Sequence, residues 1–180
     1  GCRTYDSWYW NHPPMYHEKG MYLPYNEILK TVVDVPVITA GRMENPDLAS
    51  EAIRKDQTDM IALGRPLLAD PDIPNKIMRG EFEEVRPCLS CQEGCMGRLA
   101  AYAQISCAVN PACGREAEYG LTPAMASKEI LIVGGGVAGM EAARVSAMRG
   151  HKVTLCEKAS SLGGNLIPGG APGFKKTTMP

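Results

Sequence analysis

The strongest constraint on the fold is a strand–turn–helix pattern near the C-terminal end of the chain. The apolar strand pattern Glu129–Val133 runs directly into a glycine-rich turn, Gly134–Gly139, with the spacing G-x-G-x-x-G. A helix of small and apolar residues is predicted from Val137 to Arg149, and a second apolar strand from Lys152 to Cys156. Two strands joined by a helix predict a parallel β–α–β unit, and hence an α/β fold.

The glycines of this turn stand where a dinucleotide site requires them. Gly134 allows the tight turn, Gly136 lets a pyrophosphate approach the backbone, and Gly139 lets the helix pack closely on the strand. The helix N-terminus favours the negative phosphates, and Glu157 is expected to accept hydrogen bonds from the ribose hydroxyls. The pattern therefore predicts a dinucleotide site, with a purely structural glycine turn as the alternative. The motif itself does not separate FAD from NAD.

A second motif, upstream of the glycines, is a group of four cysteines with the spacing C-x2-C-x3-C-x11-C: Cys88, Cys91, Cys95 and Cys107. Iron–sulfur clusters are held by four thiolates, often three from one loop and one from further along. Structural zinc also uses four cysteines, but usually as two separated pairs. The spacing favours a [4Fe–4S] cluster and leaves zinc as the alternative. Cys113 is left out because four ligands are already present, and Cys156 is expected to be a buried core thiol.

Composition narrows the class of protein. The chain has 180 residues and a formal net charge of −1, which gives no electrostatic reason to expect nucleic acid or an anionic membrane as a partner. No apolar run approaches the roughly 18 residues of a spanning helix. Bunched cysteines in an α/β pattern favour metal-bound thiolates in a reducing, cytoplasmic compartment over disulfides. We interpret the chain as an internal segment of a longer polypeptide.

The first half of the chain reads as two β/α repeats, between about residues 30 and 80. Strands are predicted within Val32–Ala40 and Asp59–Leu63, and helices from Asn45 onward and from near Pro71 to Met78. Alternating strands and helices predict a parallel sheet.

Each of these strands is followed by a glycine–arginine pair. Gly41-Arg42 and Gly64-Arg65 lie one repeat apart, at the C-terminal ends of the two strands. In a (β/α)8 barrel that edge holds the active site, and its last loops often bind phosphate. An arginine fork beside a flexible glycine suits a phosphate monoester such as that of FMN. Surface salt bridges are the alternative role for both arginines.

An aromatic stretch, Tyr5 to Pro14, precedes the first strand. We expect a loop on the barrel mouth that covers a hydrophobic substrate, or aromatic side chains that close the barrel edge. His12 and Tyr9 are candidate proton donors, although a lone histidine or tyrosine is more often structural.

The motifs together resemble a known family. The strings Pro87-Cys88-Leu89-Ser90-Cys91-Gln92-Glu93-Gly94-Cys95 and Ser106-Cys107-Ala108-Val109-Asn110-Pro111, with the glycine turn, are similar to the 2,4-dienoyl-CoA reductase group of NADH:flavin oxidoreductases related to old yellow enzyme. The aromatic stretch also resembles the flavin enzymes of bacterial bile-acid dehydroxylation. The resemblance covers nearly the whole chain.

The resemblance implies three parts of an oxidoreductase. Residues 1–80 would be the last strands and helices of a TIM-barrel FMN domain, 81–127 a [4Fe–4S] linker, and 128–180 the start of a Rossmann-like FAD domain. Electrons would pass from NAD(P)H through FAD and the cluster to FMN, which reduces an activated C=C bond of an unsaturated acyl-CoA or a steroid enone. The family's catalytic tyrosine lies on a strand absent here, and its histidine falls near Asp6 to His12. Without an NAD(P)H domain, the segment alone would be inactive.

The resemblance also assigns cofactor residues. Gly41, Arg42, Gly64 and Arg65 match FMN-phosphate contacts, and the four cysteines match cluster ligands. The loop Leu162–Asn165 is similar to a second FAD-contact loop, and the residues that match the FAD site are Gly134, Gly136, Ala138, Gly139, Glu157, Lys158 and Asn165. The alternative is an electron-transfer module that feeds a partner, like the cluster-plus-FAD subunits of glutamate synthase.

Overall fold

The structure is a computed structural model that describes residues 5–175. The chain divides into two compact units, the first ending at Gly114 and the second beginning at Arg115. Both contain a parallel β–α–β arrangement, so the predicted α/β class is confirmed. Within residues 5–175, no helix combines the length and the apolar character needed to cross a membrane.

The first unit contains two short strands and six helices in its described part. The strands are β1 (Ile38–Thr39) and β2 (Met60–Ile61). The helices are α1 (Trp8–Asn11), α2 (Leu23–Lys30), α3 (Pro46–Arg54), α4 (Arg65–Ala69), α5 (Ile73–Arg79) and α6 (Arg98–Ala100). Single turns of 3₁₀ or π helix lie at Tyr5–Ser7, Phe82–Glu84 and Glu93–Gly97. The aromatic stretch, predicted as a loop, is therefore largely helical.

The parallel pair β1–β2 is shorter than the sequence pattern predicted. Ile38 pairs with Met60 and Thr39 with Ile61. The backbone carbonyl of Val37 still accepts from the amides of Asp59 and Met60, at 2.9 and 3.2 Å. The ladder does not extend further back because the amide of Val37 donates to the Asp59 side chain, at 2.7 Å, instead of to a backbone carbonyl.

Helix α3 packs against β2 and supplies part of the small hydrophobic core of the unit. It begins as predicted, with the Asn45 side chain accepting from the amide of Leu48 at 2.9 Å and Pro46 in the first turn. Its buried Ala52 packs with Leu23 of α2 and with Met43, which follows the first glycine–arginine pair. The core is therefore adjacent in sequence to the first glycine–arginine pair, through Met43.

Two short helices follow β2. Helix α4 was not predicted, because Gly64-Arg65-Pro66 suggests a loop; the structure begins the helix at Arg65 and places Pro66 in the first turn, where proline is tolerated. Helix α5 ends at Gly80, as predicted, with a left-handed φ of 73°.

A buried carboxylate, Asp70, joins these helices to the segment that leads to the cysteines. Its side chain is 4% exposed and accepts from Lys76 Nζ at 2.7 Å, from the amide of Arg86 at 2.9 Å and from that of Asp72 at 3.1 Å. Burial opposes the charge, but these donors outweigh it and lower the pKa of Asp70.

We expect this carboxylate to make stability depend on pH. A lowered pKa in the folded state stabilises the protein above the unfolded-state pKa of about 3.9, and this contribution is lost as the pH falls through the folded-state pKa. Asp70→Asn should therefore lower the melting temperature at pH 7, and the difference from the parent should shrink as the pH falls below about 4. A difference that stays constant with pH in thermal melts would contradict this role.

The second unit has the predicted elements at nearly the predicted boundaries. Strand β3 (Glu129–Val133) pairs in parallel with β4 (Lys152–Cys156), and α7 (Val137–Met148) connects them. A short α8 (Leu166–Gly169) and a 3₁₀ turn at Gly173–Lys175 follow. The prediction of a buried Cys156 was wrong: this thiol is exposed, because it lies at the end of β4 on the outward side of an alternating pattern.

Candidate functional site

The two glycine–arginine pairs line one cavity in the first unit, together with the segment Asn11–Pro13. Parallel strands bring the residues after β1 and β2 to the same edge, which explains why Gly41-Arg42 and Gly64-Arg65 meet. The structure thus groups His12 with all four residues predicted for a phosphate site. Tyr9 is not among the residues that line the cavity; it stacks on His17, with ring centroids 5.5 Å apart.

Arg42 is buried in the wall of this cavity. Its Nη1 donates to the carbonyl of Met15 at 2.8 Å and to that of His17, and its Nη2 lies 3.5 Å from Glu44 Oε1. That last distance makes an ion pair without a hydrogen bond. The backbone at Gly41 has a φ of 97°, and an added Cβ there would lie 2.5 Å from the Tyr22 ring. Glycine at this position therefore permits the turn that presents Arg42.

Several buried polar atoms around the cavity have no hydrogen-bond partner. The donors are Arg42 Nε and Arg65 Nη1, and the others are His12 Nδ1 and Glu44 Oε1. Arg65 uses its Nη2 to donate to the carbonyl of Pro13 at 2.8 Å. A buried donor without a partner is costly, so the two guanidinium groups fit a ligand with anionic oxygen acceptors.

The surroundings of His12 favour the neutral form of its imidazole. Burial lowers its pKa, and the positive charge of Arg65 lowers it further. A neutral imidazole carries one donor and one acceptor nitrogen, so His12 can hydrogen-bond a ligand in this cavity. Its predicted role as a proton donor stays a prediction.

The four predicted ligand cysteines line a second cavity: Cys88, Cys91, Cys95 and Cys107. All four are free thiols. Burial raises the pKa of Cys88, although the amide of Ser90, 3.4 Å from its sulfur, acts in the opposite direction. A buried thiol needs a nearby positive charge to ionise, and a bound metal centre supplies one. Cys113 is buried and is not among the cavity-lining residues.

The loop that carries these cysteines has unusual backbone conformations. Ser90 and Gln92 have φ values of 50° and 64°, in the left-handed region. The carbonyl of Gly94 accepts from the amide of Ser106 at 2.7 Å, and an added Cβ on Gly94 would lie 2.5 Å from the Ser106 carbonyl oxygen. Gly94 therefore lets the segment that carries Cys107 approach the loop closely.

The thiols share a cavity without forming a single-ion site. Among residues 5–175, no three histidine, cysteine or carboxylate side chains are grouped so that they could hold one metal ion. A polynuclear cluster binds each thiolate at a different iron, whereas zinc needs all four around one ion. Binding of a metal centre by these four cysteines stays a prediction.

The two cavities have common walls. Arg65, Cys88 and Ser90 line both of them. A group held by the cysteines and a group held by the arginines would thus be separated by little more than these side chains.

In the second unit, the glycine turn has the backbone geometry predicted from its spacing. Gly134 has a φ of 107°, and its amide donates to the carbonyl of Cys156 at 2.7 Å. A Cβ on Gly139 would overlap the carbonyl oxygen of Gly134, whereas one on Gly136 would meet nothing within 4 Å. Gly136 thus leaves open space before the N-terminus of α7, where a phosphate is favoured.

The Glu157 carboxylate closes the turn from the other strand. It accepts from the amide of Gly135 at 2.6 Å and from that of Ala159 at 2.8 Å. These hydrogen bonds, the one from Ala159 first, lower the pKa of Glu157. The sequence did not single out Gly135, which is buried and has no room for a side chain against Glu157 and Leu162. The run of three glycines was the signal for it.

The other residues predicted for this site lie around the turn. The amide of Gly163 donates to the carbonyl of Gly135 at 2.8 Å, so the Leu162–Asn165 loop packs on the glycine turn. Ala138, Lys158 and Asn165 are exposed. These placements leave their contact with a dinucleotide as a prediction.

We expect Glu157→Ala to weaken flavin binding. It removes the acceptor for two backbone amides as well as the predicted acceptor for the ribose. Glu157→Gln, which keeps one oxygen acceptor, should lose less. FAD retained per chain after gel filtration measures the effect, and unchanged content in the alanine variant would contradict the assignment.

Comparison with known proteins identifies the families that the two parts of the chain match. Residues 5–84 match the NADH:flavin oxidoreductase / NADH oxidase family, and residues 129–178 match the FAD dependent oxidoreductase family. The chain is 73% identical over 172 residues to the cinnamate reductase of Clostridium sporogenes, an alignment that covers 96% of this chain and 26% of that protein. Residues 5–84 belong to the NADH:flavin oxidoreductase family.

Solved structures of related flavin oxidoreductases have a similar fold. A 2-naphthoyl-CoA reductase in complex with 2-naphthoyl-CoA matches with a TM-score of 0.84 and 34% identity over 91% of this chain and 25% of that one. The 6-hydroxypseudooxynicotine amine oxidase of Pseudomonas geniculata N1 matches with a TM-score of 0.88 and 32% identity, over 95% and 26%. The chain spans about a quarter of the length of these relatives.

Proposed function

We propose that this chain is the part of a reductase for activated C=C bonds that brings an FMN site, a [4Fe–4S] site and the start of an FAD site together in one polypeptide. In this proposal, residues 1–80 belong to a TIM barrel, 81–127 to the cluster linker and 128–180 to a Rossmann-like FAD domain. When bound, the flavins would supply hydride transfer and the cluster one-electron transfer between NAD(P)H and the substrate.

The shared wall between the two cavities carries this proposal. Arg65 and Cys88 border both the arginine-lined cavity and the cysteine-lined cavity. An electron-transfer module that holds only FAD and an iron–sulfur cluster would not need a phosphate-binding cavity beside the cluster. The arrangement therefore favours a substrate-reducing flavin next to the cluster over the electron-transfer module.

The residues of the chain have distinct tasks in this arrangement. Arg42 and Arg65 offer buried, unpartnered donors that would bind the FMN phosphate, and the neutral His12 adds a hydrogen-bonding nitrogen beside them. The four cysteines would bind the cluster as thiolates. The open space at Gly136 and the carboxylate of Glu157 would receive the pyrophosphate and ribose of FAD.

The relatives favour an aromatic substrate. A cinnamate reductase shares 73% of the aligned residues, and a solved relative binds 2-naphthoyl-CoA. We therefore propose an aryl-substituted α,β-unsaturated acid, or its CoA thioester, as the substrate class. We prefer it to the dienoyl-CoA thioesters and the steroid enones.

Anaerobic turnover by the protein that contains this chain tests the proposal. With NADH or NADPH as donor, loss of the conjugated absorbance of cinnamate or cinnamoyl-CoA is the expected result. Oxidation of an amine with no reduction of any alkene would assign the protein to the amine-oxidising side of the family. FAD and iron without FMN would favour the electron-transfer module instead.

Arg42→Ala is expected to reduce FMN binding and to leave FAD in place. Loss of one charged hydrogen-bond donor should weaken FMN roughly ten- to a hundredfold. Arg54, exposed on α3, provides the control variant Arg54→Ala. Separate quantification of FMN and FAD by chromatography gives the result, and equal loss of both flavins would indicate misfolding and contradict the phosphate assignment.

A further inference from the structure

Three side chains of the linker donate hydrogen bonds to helix α4 or to residue 12, and both of these segments contribute residues to the arginine-lined cavity; we name them the latch residues: Arg86, Gln92 and Asn110. Each lies close to a proposed ligand in sequence. Arg86 precedes Cys88 by two positions, Gln92 directly follows Cys91, and Asn110 lies three positions after Cys107. All three donate to backbone carbonyls outside the linker.

Asn110 is the most buried latch residue, at 4% exposure. Its Nδ2 donates to the carbonyl of Leu68 at 2.9 Å, and its Oδ1 accepts from the amide of Ala112 at 3.2 Å. Leu68 belongs to α4, the helix that begins with Arg65. Asn110 therefore connects the segment after Cys107 to the helix that carries a cavity arginine.

Arg86 acts on the same end of that helix. Its Nη1 donates to the carbonyl of Ala69 at 3.3 Å, and its amide donates to Asp70 at 2.9 Å. The last carbonyls of a helix have no partner within the helix. At α4 the linker supplies partners for Leu68 and Ala69, so the position of this helix depends on the linker.

Gln92 contacts another segment that lines the arginine-lined cavity, Asn11–Pro13. Its Nε2 donates to the carbonyl of His12, while Arg65 donates to the neighbouring carbonyl of Pro13. Gln92 itself has a left-handed φ of 64°, a conformation that costs free energy for a residue with a side chain. Residues 12 and 13 are thus held both by the cysteine loop and by a cavity arginine.

We propose that the latch residues couple occupation of the cysteine cavity to the affinity of the arginine-lined cavity for its phosphate-bearing flavin. The inference rests on the proposed function and deepens it. Ligation at the cysteines fixes the segments that carry the latch donors, and these donors in turn fix α4 and residues 12–13. Linkage makes the effect reciprocal: a bound flavin phosphate stabilises the loop arrangement that binds the cluster. Gln92 and Asn110 are positioning residues in this scheme.

The coupling is measured as a ratio: the dissociation constant of FMN for the iron-free protein divided by that for the iron-loaded protein. FMN is titrated into anaerobically purified protein freed of FMN, with the iron retained and again after chelation of the iron, by quenching of flavin fluorescence. The parent should bind FMN more tightly in the iron-loaded form. Gln92→Ala and Asn110→Ala should each lower that ratio by roughly three- to tenfold, the effect of one ordinary hydrogen bond, while the iron content is retained. Gln104→Ala, an exposed glutamine of the same linker, should leave the ratio unchanged.

Defined outcomes would overturn the inference. Equal FMN affinity with and without iron in the parent would show that the sites are independent. An unchanged ratio in both latch variants would remove these residues from the coupling. Joint loss of iron, FMN and FAD in both variants would show a role in folding alone. Absence of iron or FMN from the parent, by contrast, would refute the proposed function itself.

Discussion

Replacing Cys91 with serine is expected to remove the cluster and to stop electron delivery to FMN. Cys91 is one of four free thiols that line one cavity, and a cubane cluster needs four thiolates. Iron should fall from about four per chain to a small fraction of that. FMN should then no longer be reduced when NAD(P)H is added, although FAD still is. Iron analysis and the anaerobic flavin spectrum measure the two effects.

Two other cysteines provide controls for this variant. Cys156 is exposed in the second unit, and Cys113 is buried in the linker but is not among the residues lining the cysteine cavity. Cys156→Ser and Cys113→Ser should therefore keep the full iron content. Retention of full iron by Cys91→Ser, or equal loss of iron in all three variants, would contradict the ligand assignment.

Gly139→Ala is expected to destabilise the glycine turn and to abolish FAD retention. An added Cβ would overlap the carbonyl oxygen of Gly134, which is backbone and cannot move aside alone. Either α7 must shift away from β3 or the turn must open, and such overpacking typically costs about 1–3 kcal/mol. Denaturant unfolding and the flavin content of the purified protein measure the loss.

Gly169→Ala is the matched control for this substitution. Gly169 ends the short helix α8, and a Cβ there would meet nothing within 4 Å. The control should therefore keep both stability and FAD. If Gly139→Ala also kept its FAD, the close packing of α7 on the turn would not matter for dinucleotide binding.

Local patterns made the second unit predictable from sequence. Strand β3, the glycine turn and α7 follow one another without interruption, so β3 and β4 matched their predicted ranges and α7 ended one residue earlier. In the first unit, the Asp59 side chain accepts from the amide of Val37 and so shortens β1, and Arg65 starts a helix that the sequence suggested as a loop. The exposed Cys156 shows that apolar alternation does not say which side of a short strand is covered.

The candidate site was only partly visible in the sequence. The cysteine and glycine spacings are local and identified their own residues. The contact of Arg65 with Pro13, and the contacts of Gln92 and Asn110, join positions far apart in the chain. Such contacts follow from the packing of α4 against the linker, and no spacing rule encodes them. The close approach of Gly94 to Ser106 is hidden for the same reason.

The most direct test of the central claim is the iron, acid-labile sulfide and flavin content of the protein, purified without oxygen. The account predicts about four irons and four sulfides per chain together with both FMN and FAD. Zinc in place of iron, or iron with FAD but no FMN, would contradict the claim that the cysteine cavity and the arginine-lined cavity hold a cluster and a flavin side by side.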